Sequence, residues 1–340
     1  MMKNHSEALC FSVGRLPHGE RNLISDVPGV RVGHATVDDG SCHTGVTVVL
    51  PPPDNPFTSK LTAASCVFNG YGKTLGLVQV DELGTIETPI ALTNTLNVGR
   101  VHDALVSWML EQCRRDGITL TSVNPIVCEC NDSRISDIAL RPVGEAEVRR
   151  AILSASADFE LGAVGAGRGT ICYGMKGGIG SSSRVMELDG RNYTLGVLVQ
   201  SNYGASADFR AACLPPELSE SDQGSIILIV ATDLPLSARQ LKRVLRRTSV
   251  GMARLGSYIG HGSGEIAVGF TTAPMTDSGN SFRMQTVLRE DRMNLPFRAA
   301  GECAEEAILR SMWFAEPDRT LQGVPVPSLR EYLQKEGKLR

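Results

Sequence analysis

The pair Gly224–Ser225 places a small, flexible residue and a hydroxyl where a polar segment meets an apolar run. The polar segment 215–223 (PPELSESDQ) predicts an exposed, mobile loop, and the apolar run 226–231 (IILIVA) predicts a buried strand. A serine hydroxyl needs a base to become nucleophilic, and a chain-terminal α-amine, with an ordinary pKa of about 7.7–8.0, can be that base within the same residue. On its own, the pair fits an ordinary loop end and strand start better than a catalytic site, and only further residues change that interpretation.

Several familiar functional motifs are excluded by their spacing. Residues 72–74 (Gly-Lys-Thr) would end a phosphate-binding loop, but Val67 stands where that loop needs its first glycine. The glycines of 162–169 form no dinucleotide-binding fingerprint, and no G-x-S-x-G nucleophile elbow occurs. Cys128 and Cys130 have no second pair at zinc-site spacing, and the six histidines are scattered. We therefore expect no metal, nucleotide or other cofactor.

The composition is that of an ordinary globular protein. The chain has 340 residues, 42% of them hydrophobic, and a formal net charge of −3. Nucleic-acid binding requires a broad basic face, so this charge favours small neutral or zwitterionic substrates instead. No apolar stretch reaches the roughly eighteen residues that a membrane span needs. Nine cysteines spread along the chain indicate reduced thiols and a cytoplasmic location.

Alternating secondary-structure patterns predict an α/β protein. Buried strands are predicted where β-branched runs are bounded by glycine or proline: 44–50, 90–92, 126–127, 193–200, 226–231 and 266–270. Helices are predicted over 101–115, 145–157 and 237–255; the last begins after Pro235 with Ser237 as its cap and ends at Gly256. The eight glycines of 162–184 favour tight turns and close backbone approach over a flexible linker.

Many sequence blocks, in one order along nearly the whole chain, resemble the L-aminopeptidase/D-esterase and β-peptidyl aminopeptidase family of self-processing serine hydrolases. These blocks are ISDVPGVRVGH at 24–34, TGVT at 44–47, ELGTIETPI at 82–90, LTNT at 92–95, KGGIG at 176–180 with Ser183-Arg184, VQSNYG at 199–204, and GSII at 224–227 with ATD at 231–233. Within 128–138 the family pattern leads us to expect an active-site tyrosine, and Arg134 occupies the corresponding place.

The resemblance implies a fold, a cleavage site and a set of catalytic residues. The fold would be a four-layer αββα sandwich of the self-processing N-terminal-nucleophile type, with residues 1–340 as one hydrolase domain. Cleavage between Gly224 and Ser225 would give an alpha chain, 1–224, and a beta chain, 225–340. Ser225 would be the nucleophile, Asn202 an oxyanion donor, and Ser263 and Glu265 would support its amine and hydroxyl.

Two classes of function follow from these observations. The first is a serine aminopeptidase or amidase acting on small peptides, amides or esters with a free amine, built from L-, D- or β-amino acids. The site motifs contain acidic Glu265 and no basic group to bind a terminal carboxylate. A related acyltransferase would expose threonine, which Ser225 disfavours. The second class is an uncleaved, non-catalytic binding protein that uses 162–184 for a small ligand. The resemblance also implies a homo-oligomer of processed pairs.

Overall fold

In the part of the chain that the structure describes, two large β-sheets, three two-stranded sheets and seven α-helices form the fold. The computed structural model describes residues 12–209, 223–277, 281 and 283–337, so most of the predicted loop 215–223 lies outside the described residues. The strands are β1 (Arg31–Asp39), β2 (Cys42–Leu50), β3 (Leu61–Gly70), β4 (Thr85–Ile86), β5 (Ile90–Asn94), β6 (Ile126–Cys130), β7 (Ile171–Cys172), β8 (Met175–Lys176), β9 (Gly178–Leu188), β10 (Arg191–Asn202), β11 (Gln223–Thr232), β12 (Gly262–Thr271), β13 (Thr276–Asp277), β14 (Arg283–Met284), β15 (Asp318–Arg319) and β16 (Pro325–Val326). The helices are α1 (Leu77–Leu83), α2 (Val98–Arg115), α3 (Glu145–Leu153), α4 (Ala238–Leu245), α5 (Thr248–Arg254), α6 (Asn294–Trp313) and α7 (Leu329–Lys335).

The two large sheets differ in size but share a mixed pattern of strand directions. The first has the order β1-β2-β5-β6, and the second has the order β4-β3-β12-β11-β10-β9. Most neighbours are antiparallel, whereas β5–β6 and β11–β12 are parallel. Strand β11 lies inside the second sheet, and its run 226–231 is buried throughout. That continuous apolar run is what burial on both faces requires.

Each sheet carries helices on its outer face. Apolar side chains of the first sheet, such as Val46 and Val48, pack in one cluster with Val101 and Leu105 of α2 and Val148 of α3. On the second sheet, α6 covers β9 and β10, and α4 covers β3 and β12. A larger apolar cluster includes residues of both sheets and the helices behind the second sheet. The layers therefore run helix, sheet, sheet, helix, which confirms the predicted αββα sandwich.

All six predicted strands are present, and the helix prediction for 237–255 is wrong in one respect. Ser237 does cap α4, and its hydroxyl accepts the N–H of Gln240. However, α4 ends at Leu245 and α5 begins at Thr248, whose hydroxyl donates to the Leu245 carbonyl at 2.7 Å. The chain turns there because α5 packs closely on α6: a Cβ at Gly251 would lie 2.8 Å from the Gly301 carbonyl oxygen.

The glycine-rich segment 162–184 divides at Gly178. Up to residue 177 it contains a 3-10 turn (Gly165–Gly167) and the hairpin β7–β8, as the glycines predict. From Gly178 onward the prediction of turns is wrong, because this part forms β9 at the edge of the second sheet. Three serines and an arginine of β9 are fully buried, so its polar composition concealed a strand. No helix in the described parts of the chain is both long and apolar enough to cross a membrane.

Candidate active site

The Gly224–Ser225 bond lies near the start of β11, tightly against the end of β10. Gly224 has a φ of 148°, and a Cβ there would lie 2.8 Å from the Cα of Tyr203 and closer still to the Asn202 carbonyl oxygen. Only glycine combines this backbone angle with such close contact. The small, flexible residue that the sequence places before Ser225 therefore has a structural basis.

Ser225 is buried beside the residues that the sequence associates with it. Strand pairing places it next to Asn202 of β10 on one side and next to Gly264 of β12 on the other. Its hydroxyl is buried and has no hydrogen-bond partner among the residues that the structure describes. The Cys130 thiol donates to the Ser225 carbonyl oxygen at 3.4 Å, which fixes the backbone from the other sheet. A buried hydroxyl without a partner costs folding free energy and is a sign of function.

A cleft of about 520 Å³ opens above Ser225, where the ends of the two sheets meet. Its wall contains the backbone of Gly224 and the hairpin β7–β8, through Ile171 and Gly174. The side chains that carry hydrogen-bonding or charged groups into it include Tyr71, Lys73, Glu129, Arg134, Asn202 and Ser225. The cleft is thus large enough for a small peptide and has acidic, basic and hydroxyl groups on its walls.

Both polar atoms of the Asn202 side-chain amide make hydrogen bonds to the backbone. The Oδ1 atom accepts the Ile171 N–H at 3.0 Å, and Nδ2 donates to the Asn131 carbonyl oxygen at 2.8 Å. A primary amide has two N–H donors, so one remains for a substrate oxygen in the cleft. Because Asn202 pairs with Ser225 across the strands, the two side chains lie on one face of the sheet.

Ser263 and Glu265 flank Gly264 and are fully buried. Ser263 pairs with Gly224, so it lies beside the Gly224–Ser225 bond, whereas Glu265 pairs with Ile226. Alternation along β12 directs both side chains away from the face that Ser225 and Asn202 share, and neither lines the cleft. The Ser263 hydroxyl has no hydrogen-bond partner in the described part of the chain. Their support of the amine therefore stays a prediction.

Glu129 is a residue of the cleft that the sequence analysis missed. Its carboxylate is only 3% exposed, accepts the Lys73 N–H at 3.0 Å and accepts the hydroxyl of Thr95. It lies in β6, directly before Cys130, which is the last residue of that strand. An acidic residue within an otherwise apolar strand was the available signal, because buried carboxylates need a specific partner or function.

The site motifs contain no basic group to bind a terminal carboxylate, but two basic side chains from other segments lie at the cleft. Lys73 and Arg134 both line the cleft, and Lys73 Nζ lies 5.0 Å from the centre of the Tyr71 ring. Neither cation has an acidic partner within 4.0 Å among the residues that the structure describes. Tyr71 also gives the cleft a tyrosine, from the segment after β3 and not from 128–138. The motifs did not contain these residues because they lie on the connections beyond the strands.

The cleft has no evident metal site. Within the described ranges, no group of three or more histidine, cysteine, aspartate or glutamate side chains is placed to hold a metal ion. Burial raises the pKa of the Cys130 thiol well above its ordinary value. Cys130 therefore stays protonated and acts as a hydrogen-bond donor and not as a ligand or nucleophile.

Comparison with known proteins identifies the family. Residues 22–326 match the sequence profile of peptidase family S58. The chain belongs to peptidase family S58. A relative with the name beta-peptidyl aminopeptidase BapA, from Sphingosinicella microcystinivorans, is 35% identical, and the alignment covers 94% of this chain and 90% of that protein. The S58 assignment agrees with the blocks quoted from the sequence.

Two solved structures are similar to this S58 chain over almost its whole length. The PH0078 protein from Pyrococcus horikoshii OT3 has a TM-score of 0.88 at 40% identity, with 97% of this chain and 98% of that chain covered. The L-aminopeptidase D-Ala-esterase/amidase from Ochrobactrum anthropi, described as a prototype serine aminopeptidase with a variant of the Ntn hydrolase fold, has a TM-score of 0.82 at 32% identity, covering 96% and 98%. The S58 chain is thus a hydrolase with aminopeptidase activity and the Ntn fold, not a non-catalytic binding protein.

Proposed function

We propose that the protein is a self-processing serine aminopeptidase that cleaves its own Gly224–Ser225 bond and then uses Ser225 as its nucleophile. The observation that carries the proposal is the crowded Gly224 next to a buried Ser225 hydroxyl that opens into the cleft. An intact chain has an amide nitrogen at Ser225, which cannot act as a base. Cleavage converts it into an amine and so supplies nucleophile and base in one residue.

The reactants of self-cleavage are the Gly224–Ser225 peptide bond, the Ser225 hydroxyl and one water molecule. Ser225 Oγ attacks the Gly224 carbonyl carbon, the C–N bond breaks, and the nitrogen takes up the hydroxyl proton to give an ester. Water then hydrolyses the ester, which leaves a carboxylate on Gly224 and a free amine and hydroxyl on Ser225. The tight packing of Gly224 supports this step, because a held carbonyl stays within reach of the neighbouring hydroxyl.

Peptide hydrolysis uses the same atoms in a second role. The Ser225 α-amine accepts the hydroxyl proton as Oγ attacks the substrate carbonyl, and the free N–H of Asn202 donates to the resulting oxyanion. The proton passes to the leaving amine, and water hydrolyses the acyl-enzyme ester. Ser263 and Glu265, on the strand beside Gly224–Ser225, would orient the amine and stabilise its charged form.

Glu129 and the two cations suggest how a substrate lies in the cleft. A free amine of the substrate is positively charged, and the buried Glu129 carboxylate is the acidic group that reaches the cleft wall. Lys73 and Arg134 suit a carboxylate at the other end. The proposed substrates are therefore small zwitterionic peptides, and amides or esters of L-, D- or β-amino acids, that keep a free amine. We also propose a cytoplasmic homo-oligomer of processed pairs, without nucleic-acid or membrane partners.

Intact-mass spectrometry of the purified protein tests self-cleavage. We expect fragments 1–224 and 225–340, with Ser225 as the second N-terminus, and Ser225→Ala should stay whole. Ser249→Ala, in α5, is the matched control and should cleave normally. A chain that stays at 36.5 kDa after long incubation contradicts the mechanism. Turnover of p-nitroanilides of L-, D- and β-amino acids, with and without an acetylated amine, then tests the substrate class.

A further inference from the structure

Lys176 is a fully buried cation behind the wall of the cleft and does not line it. It is the last residue of β8, and its Nζ donates to the carbonyl oxygens of Thr170 at 2.9 Å, Gly177 at 3.0 Å and Gly167 at 3.3 Å. An ammonium has three N–H donors, so these backbone carbonyls satisfy all of them. Burial lowers the pKa of this lysine to about 7. A cation is expensive at such a position, which indicates a role beyond filling space.

The three carbonyls belong to the glycine-rich segment that contains hairpin β7–β8. Residues 167–177 contain four glycines, which lose more conformational entropy on ordering than any other residue. The segment runs through hairpin β7–β8, and Thr170 O also accepts the Gly177 N–H at 3.0 Å. The Lys176 ammonium therefore links both arms of the hairpin at one point. Without it, the hairpin would keep its backbone bonds and the packing of Tyr173 on Tyr203 and Phe209, but it would lose the ammonium contacts to its carbonyls.

The hairpin makes a direct contact with Asn202. Ile171, the residue after Thr170, donates its N–H to Asn202 Oδ1 at 3.0 Å. An amide rotated by 180° would exchange its oxygen and nitrogen, and the Ile171 N–H would then face a donor. The Ile171 bond thus selects the orientation in which Nδ2 contacts the Asn131 carbonyl and the cleft. A shift of the hairpin would weaken this selection.

We propose that Lys176 is a positioning residue for the peptidase reaction: its ammonium fixes hairpin β7–β8 so that the Ile171 N–H holds Asn202 with its amide N–H directed at the substrate oxyanion. The inference rests on the proposed role of Asn202 as the oxyanion donor. It gives a function to a lysine of the KGGIG block that makes no contact with the substrate cleft.

The test is a double-mutant cycle with Lys176→Met and Asn202→Ala on a good p-nitroanilide substrate. Loss of an oxyanion donor lowers kcat by about 10²- to 10³-fold, and we expect Lys176→Met to lower it by about 10- to 10²-fold with KM nearly unchanged. In the Asn202→Ala background, Lys176→Met should cost nothing further, because its effect passes through Asn202. Lys242→Met, on the outer helix α4, is the matched control and should keep normal kcat.

The outcomes separate the inference from the proposed function. If Asn202→Ala keeps normal kcat, the proposed oxyanion donor is wrong. If Asn202→Ala is slow but Lys176→Met is either normal or multiplies the loss in the double variant, the positioning role is wrong. The same cycle is also measured with Lys176→Gln, whose amide keeps two N–H donors for the carbonyls. This variant preserves folding if Lys176→Met does not. A partial loss of kcat that disappears in the Asn202→Ala background supports the inference with either variant.

Discussion

Replacing Gly224 by alanine tests the packing that the self-cleavage mechanism depends on. The new Cβ would lie 2.8 Å from the Tyr203 Cα and closer to the Asn202 carbonyl oxygen, whereas ordinary carbon contacts are about 3.5–4.0 Å. Both obstacles are backbone, so no side chain can rotate away. Strand β11 or β10 must move instead, and this displaces the scissile carbonyl together with Asn202.

The size of the effect follows from two separate costs. Overpacking that shifts backbone typically costs about 1–3 kcal/mol, and a non-glycine residue held at an unfavourable φ costs about 1–3 kcal/mol. We therefore expect Gly224→Ala to lower the free energy of unfolding by roughly 2–6 kcal/mol. A misplacement of about 1 Å can lower a reaction rate about 10²-fold, so self-cleavage should slow by at least that factor.

Two assays separate stability from chemistry. Urea unfolding compares Gly224→Ala with its parent in a Ser225→Ala background, where neither chain can cleave. A gel time course of the freshly made precursor then measures self-cleavage of Gly224→Ala with Ser225 present. Gly99→Ala, in α2 where a Cβ would meet no atom within 4 Å, is the control and should be neutral or slightly stabilising. A Gly224→Ala chain with parental stability and a normal cleavage rate would refute the reasoning.

Three further predictions concern the cleft and the buried ion pair between Arg184 and Glu306, whose nearest charged atoms lie 2.7 Å apart. Glu129→Gln should raise KM for free-amine substrates by about 10-fold or more while kcat changes less. Acetylated peptides should be equally poor substrates of the variant and the parent, and steady-state kinetics on both sets of substrates checks this. Arg134→Ala should reduce kcat/KM for dipeptides with a free carboxylate several-fold more than for the corresponding amides, and equal losses would remove Arg134 from substrate binding. Burial alone would raise the pKa of Glu306, but hydrogen bonding from His18 and the charge of Arg184 lower it from 4.5 to about 2. Because the folded-state pKa is depressed, the stabilisation of about 3 kcal/mol is complete above pH 4.5 and is lost as the pH falls towards 2. Urea unfolding between pH 2 and pH 7 should show a smaller loss of stability at low pH for Glu306→Gln than for the parent.

The sequence predicted the scaffold well because local patterns reflect burial directly. The six strands lie where β-branched runs are bounded by glycine or proline, and their alternation with helical patterns predicted an α/β protein. The αββα layers were expected only from the family resemblance. The division of helix 237–255 was not predictable from its apolar spacing. It depends on Gly251 meeting Gly301 of α6, which is a contact between segments about fifty residues apart.

The cleft was predicted only in its centre. Ser225 and Asn202 came from contiguous blocks, and strand pairing places them side by side. Glu129 and Lys176 were not assigned a role because single-sequence patterns treat charged residues as solvent-exposed. Both are buried by hydrogen bonds to backbone groups that only the folded chain brings together, the Lys73 N–H in one case and three carbonyls of 167–177 in the other.

The positions of Ser263 and Glu265 give the proposed reaction an order in time. In the intact chain the Ser225 nitrogen is an uncharged amide within β11, so a buried carboxylate on the neighbouring strand has no ammonium to stabilise. Cleavage beside Ser263 frees that nitrogen, which can then leave the ladder and acquire a proton. Glu265, one pairing position further along, would stabilise the charge that appears at that moment. In the proposed reaction, the same strand register would let the precursor fold with an uncharged Ser225 nitrogen and would supply acid–base support only after cleavage.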